Sequence, residues 1–103
     1  MDRRFELHEE LCNLLGSRNV YFQPPESLKM QYPCIRYSIS DMPKLNANDK
    51  VYLKTCNTYT VTVIDADPDS DISSRILTHF PMVRFDRAYT SNNLNHHTLT
   101  LNY

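Results

Sequence analysis

Residues 50–64 read KVYLKTCNTYTVTVI, and the second half of that stretch decides the fold class. Tyr59, Val61 and Val63 alternate with Thr58, Thr60 and Thr62. This period-2 pattern of β-branched and aromatic residues suits a strand with one buried face. Val51 and Leu53, interleaved with Lys54, extend it, so the sequence predicts one long central strand from Lys50 to Ile64. The same alternation stands upstream at residues 34–40, where Ile35, Tyr37 and Ile39 oppose Arg36, Ser38 and Ser40.

Working outward, residues 2–15 read as an amphipathic helix with Phe5, His8, Leu11, Cys12 and Leu15 on its apolar side. Asp2 is placed to cap it, and Gly16, the only glycine, to end it. Val20-Tyr21-Phe22 forms a short strand that stops at Pro24-Pro25, with one helical turn over residues 26–30 before Tyr32-Pro33 restores extended chain. Residues 41–49 (DMPKLNAND) lack periodicity and read as a long hairpin arm or loop. A second helix starts at about Pro68 or Ser70 and runs to His79, with Ile72, Ile76, Leu77 and Phe80 inward and Pro81 as its stop. Strands at residues 82–86 and 96–103 follow, joined by a turn within residues 90–95. The order α-β-β-β-α-β-β, without repeated βαβ crossovers, predicts an α+β fold: a mainly antiparallel sheet with two helices packed on one face.

A chain of 103 residues with 41 % apolar content supports a single domain, 1–103, with one modest core. Eleven basic against twelve acidic side chains, interspersed, argue against a dedicated nucleic-acid binder. Apolar runs of three residues or fewer fit neither a membrane span nor a signal core, so the expectation is a soluble, unsecreted protein. One glycine excludes the Gly-rich phosphate loops of nucleotide folds, and no cofactor is expected. Cys12, Cys34 and Cys56 form neither a CxxC motif nor an even disulfide set, which suits buried thiols in a reducing compartment.

The acidic run Asp65, Asp67, Asp69 and Asp71 resembles the opening of a calcium loop, where alternate carboxylates converge on one cation. The likeness stops at Ser70, where the loop needs Gly, and at Ile76, where it needs Glu. These acids are weak metal candidates and suit the positive end of a helix dipole better. His96 and His97, adjacent on a strand, point to opposite faces, so one packs inward and they do not share a metal. A small hydrolase or nuclease using Asp65, Asp67 and His79 is the least favoured class. Seven tyrosines and four phenylalanines are abundant for a core of this size. Tyr21, Tyr32, Tyr37, Tyr59 and Tyr103 complete the core on the simplest account, and Tyr52 and Tyr89, beside loops, are candidates for an interface.

Three stretches together carry a family resemblance: residues 20–37 (VYFQPPESLKMQYPCIRY), 59–71 (YTVTVIDADPDSD) and 85–103 (FDRAYTSNNLNHHTLTLNY). With the N-terminal amphipathic helix, the strand running into Tyr32-Pro33-Cys34-Ile35 and the closing hairpin, the chain resembles the tail-terminator and head–tail joining proteins of long-tailed bacteriophages. Many of these are called minor tail or tail completion proteins. The resemblance covers nearly the whole chain, but its motifs are loose and contain no catalytic residue. It implies a non-enzymatic virion protein at the neck, made in the host cytoplasm, that forms a ring, usually of six copies. Such a ring caps the tail tube, meets the head-side connector or stopper protein, and lets DNA pass without sequence-specific binding. A subunit charge of −1 suits that passage.

Carried onto this chain, the resemblance places the subunit interface on Asp41, Lys44, Leu45, Asn46, Lys50 and Tyr52, with Arg36, Arg84 and Arg87 as rim contacts beside Tyr89. Many family members are longer with larger arms, so the assembly surface here is expected to be reduced. The alternative is a small non-enzymatic module that binds a protein partner through a sheet edge or the 41–50 loop.

Overall fold

The computed structural model describes residues 3–25, 29–41, 44–47, 50–53 and 57–103. Its elements are α1 (Arg3–Leu15), β1 (Val20–Phe22), β2 (Cys34–Asp41), β3 (Lys44–Ala47), β4 (Lys50–Leu53), β5 (Thr58–Asp65), α2 (Ile72–His79), β6 (Val83–Ser91) and β7 (Leu94–Asn102). Five strands form one sheet in the order β1-β2-β5-β7-β6, and β3 pairs with β4 in a separate two-stranded sheet. Only the β1–β2 pair is parallel. The fold is α+β, with both helices on one face, as the alternation of the strands anticipates.

The core lies between that face and the helices. Ile35 and Tyr37 from β2, Tyr59, Val61 and Val63 from β5, and Leu99 and Leu101 from β7 pack against Leu7, Leu11, Cys12 and Leu15 of α1 and Ile72 and Ile76 of α2. β5 sits at the centre because both of its neighbours bury residues in register with it: Tyr37 opposes Val61, which opposes Leu99. α1 ends where Gly16 takes φ +84 and its N–H donates to Cys12 O at 2.9 Å, a left-handed exit that glycine makes without strain.

The structure corrects several sequence expectations. The predicted strand from Lys50 to Ile64 is two strands in two sheets, since β4 pairs with β3 and only β5 joins the body. The arm predicted over residues 41–49 is therefore a hairpin that borrows the first residues assigned to the central strand. α1 turns Leu7 inward and leaves Phe5 58 % exposed, with the Arg4 guanidinium over its ring. α2 starts at Ile72 because the preceding backbone is already committed: Asp65 Oδ1 accepts the Asp67 N–H and Asp67 Oδ1 accepts the Asp69 N–H, bonds that compete with helix formation. Leu77 falls off the buried face of α2, whereas Phe80 lies in the core.

β6 runs to Ser91, five residues beyond its predicted end. The turn narrows to Asn92 and Asn93, both at positive φ, as a two-residue hairpin turn requires. Of the tyrosines assigned to the core, Tyr37 and Tyr59 are buried and Tyr32 is exposed. Asp2, Cys56 and residues 26–28 of the predicted helical turn lie outside the described residues.

Candidate functional site

The predicted interface residues fall into two groups. Asp41 closes β2 opposite Thr58, and Lys44, Leu45, Asn46, Lys50 and Tyr52 all lie on the β3–β4 hairpin. There Leu45 pairs with Tyr52, Asn46 with Val51 and Lys44 with Leu53. Arg36, Arg84, Arg87 and Tyr89 belong, like Asp41, to the five-stranded sheet. Arg36 and Arg87 stand in one cross-strand row that runs Tyr21, Arg36, Thr62, Thr98 and Arg87, on the face turned away from the helices.

That open face is polar. Thr60, Thr62 and Thr98 are half-exposed. Their hydroxyls have no hydrogen-bond partner among the described residues. A bulge between Phe85 and Arg87 brings Asp86 to the same side, where it accepts hydrogen bonds from Thr100 Oγ1 and, at 2.8 Å, from Arg84 Nε. The Thr100 hydroxyl and the Arg84 guanidinium hold the Asp86 carboxyl below the usual carboxylate range. Beside them the Tyr89 ring stacks on His96, with centroids 4.8 Å apart, and carries the Arg87 guanidinium 4.8 Å from its own centroid. Only Cys34 and Ile64 are fully buried among the residues facing this side, and burial pushes the Cys34 thiol up to about 11.

The weak metal candidates do not converge. Asp65 and Asp67 bond the following backbone N–H groups, and Asp71 pairs with Arg75 at 3.0 Å. Among the described residues no group of three or more His, Cys, Asp or Glu side chains is placed to hold a metal ion. His79 meets Glu10 of α1 at 3.1 Å, beside an open groove of about 600 Å³ lined by Asp71, Ser74, Arg75, Thr78 and His79. Thr78 bonds Ser74 O within α2, and Arg75, through Leu14 O, and His79, through Glu10, clasp α2 to α1.

Two polar contacts escaped the sequence reading. Tyr37, 1 % exposed, has its hydroxyl 2.8 Å from His8 Nδ1, and Arg4 Nη1 donates to the same oxygen at 3.4 Å. Burial raises the Tyr37 phenol, while burial, then Arg18 and Arg4, lower His8, which favours a neutral imidazole sharing a hydrogen bond with the phenol. The Ser73 hydroxyl lies 2.7 Å from His97 Nδ1 and ties the first turn of α2 to β7. His97 was findable, because its parity with Leu99 and Leu101 puts it on the helix side. The sequence puts His8 on the apolar side of α1, but its partner, 29 residues away, leaves no local signal.

No helix among the described residues is long and apolar enough to cross a membrane. Compared with known proteins, the chain matches no protein-family model, no curated protein and no solved structure.

Proposed function

We propose that the chain is a structural subunit of a phage virion, a tail-terminator or neck component. In this role it forms a ring that caps the tail tube and joins it to the head-side connector. The observation that carries this reading is the β3–β4 hairpin. It is a two-stranded sheet of four residues a side that pairs with itself and not with the body of the same chain. A two-stranded ribbon is marginal in water on its own, so a hairpin held apart from the sheet suits an arm completed by a neighbour. The elongated outline, 51 Å by 28 Å by 24 Å, is compatible with such an arm. The resemblance of residues 20–37, 59–71 and 85–103 to tail-terminator proteins supplies the identity of the assembly. The role needs no catalytic residue.

The test is the mass of the purified protein by light scattering across a concentration series, with negative-stain imaging of any large species. Rings of about six subunits are expected, since head-to-tail contacts that close give cyclic assemblies. Lys44→Glu or Tyr52→Ala should weaken them. A chain that remains monomeric at every concentration and does not join purified tail tubes would overturn the proposal. Rings indifferent to both substitutions would remove the hairpin from the interface.

A further inference from the structure

The open face of the sheet gathers a charge that the sequence disperses. Two neighbouring rows cross it, one of Arg36, Thr62, Thr98 and Arg87, the other of Ser38, Thr60, Thr100 and Arg84. All eight side chains carry hydrogen-bond donors and none is acidic. The carboxylate beside these rows, Asp86, is occupied by Thr100 and Arg84, and Asp41 closes β2 one row further on, opposite Thr58. Asp65 alternates to the helix-covered side with Tyr59, Val61 and Val63. Of the other acids among the described residues, Glu6, Glu9 and Glu10 lie on α1 and Asp67, Asp69 and Asp71 in the segment between β5 and α2. A chain with a formal charge of −1 therefore carries two donor-rich rows with three arginines on one face.

We propose that this face binds the phosphate backbone of duplex DNA without reading its sequence. Arginine and threonine are common phosphate donors, and charge neutralisation is the sequence-independent part of nucleic-acid affinity. Arg36 and Arg87 stand in one row, separated by three strand spacings or about 14 Å, with two threonine hydroxyls between them. An anionic backbone lying across the row meets a donor at every strand. The row includes an aromatic, Tyr21 beside Arg36, so the choice of duplex over single strands rests on the neck reading. Tyr89 is already engaged by His96 and Arg87, and so is a poor platform for an unpaired base. The inference deepens the neck reading, in which DNA traverses the ring. It also sets the strength of the contact: two or three arginines per subunit give weak, salt-labile contacts that guide a duplex without arresting it.

Fluorescence anisotropy with a labelled duplex of about 30 base pairs tests the assignment. Neutralising two or three phosphates predicts that affinity falls about 10- to 40-fold between 50 and 200 mM salt. The double variant Arg36→Gln/Arg87→Gln should lose about tenfold or more at the lower salt. Arg18→Gln/Arg75→Gln, which removes the same charge from the helix side, should stay within about twofold. Thermal melts of both variants confirm that they are folded. Absence of binding at 50 mM salt, an equal loss in both double variants, or a clear preference for single strands would each overturn the proposal. Light scattering on the same samples separates this inference from the ring. DNA binding by a monomer upholds the face without the assembly, and rings that ignore DNA do the reverse.

Discussion

Val61 and Thr62 are consecutive in the chain yet belong to the two faces of one sheet, and the two faces obey different rules. On the helix-covered face the central cross-strand neighbours are fixed by volume: Tyr37, Val61 and Leu99 form one buried row. On the other face the next row, Arg36, Thr62, Thr98 and Arg87, has the same backbone register and no such constraint. The lesson is that β-branched threonine satisfies the strand as well as valine does while leaving its hydroxyl free. One strand thus specifies the core with alternate residues and offers an uncommitted surface with the rest.

The largest test of that division is Leu99→Ala, which leaves a cavity at a wholly buried site and should cost about 2–5 kcal/mol in denaturant unfolding. A loss below about 1 kcal/mol would mean the helices do not seal this face. Next comes Tyr37→Phe, which removes the hydroxyl shared by His8 and Arg4 and should cost about 1 kcal/mol. If stability is unchanged, that polar corner contributes nothing to holding α1 on the sheet.

The pH dependence is smaller and has a definite sign. His8 is held below its ordinary 6.5 in the fold, so its contribution is complete above that pH and is lost as pH falls from 6.5 toward the lower folded value. Melting temperatures at pH 7.5 and 5.5 should show a smaller drop in His8→Gln than in the wild type, and identical drops would refute the assignment. Smallest of all, Thr98→Ala, one residue from Leu99 but on the open face, should move stability by no more than about 0.5 kcal/mol. A larger change there would show that the open face is structural after all.

The legibility of this chain followed burial. β2 and β5 could be read because one of their faces is dry, which writes a period of two into the residues. β6 could not be read to its end. Eight of its nine residues are exposed, so Arg87, Ala88, Tyr89 and Thr90 carry no alternation to mark a strand. The false continuity from Lys50 to Ile64 has a related cause: Val51 and Leu53 keep the strand pattern, and nothing in the residues says which sheet they join. Helix faces were legible to within a residue or two, and the errors at Phe5 and Leu77 were large side chains left at the edge of the core. The candidate interface was named from resemblance. Its division between a separate hairpin and one polar sheet face depends on pairing across the sheet, which local sequence does not encode.

The strand order β2-β5-β7-β6 also arranges events in time. β6 and β7 are linked by two asparagines already suited to the turn, so their ribbon can zip within about 1–10 μs of chain collapse. β5 has no neighbour joined by so short a turn: the β3–β4 segment separates it from β2, and α2 and β6 separate it from β7. The centre of the sheet therefore closes late, when a ribbon formed beforehand docks along β5 and α2 folds down over the join. The strand written most plainly in the sequence is one of the last to find its place, and folding should slow more when the β5–β7 seam is weakened than when the Asn92-Asn93 turn is altered.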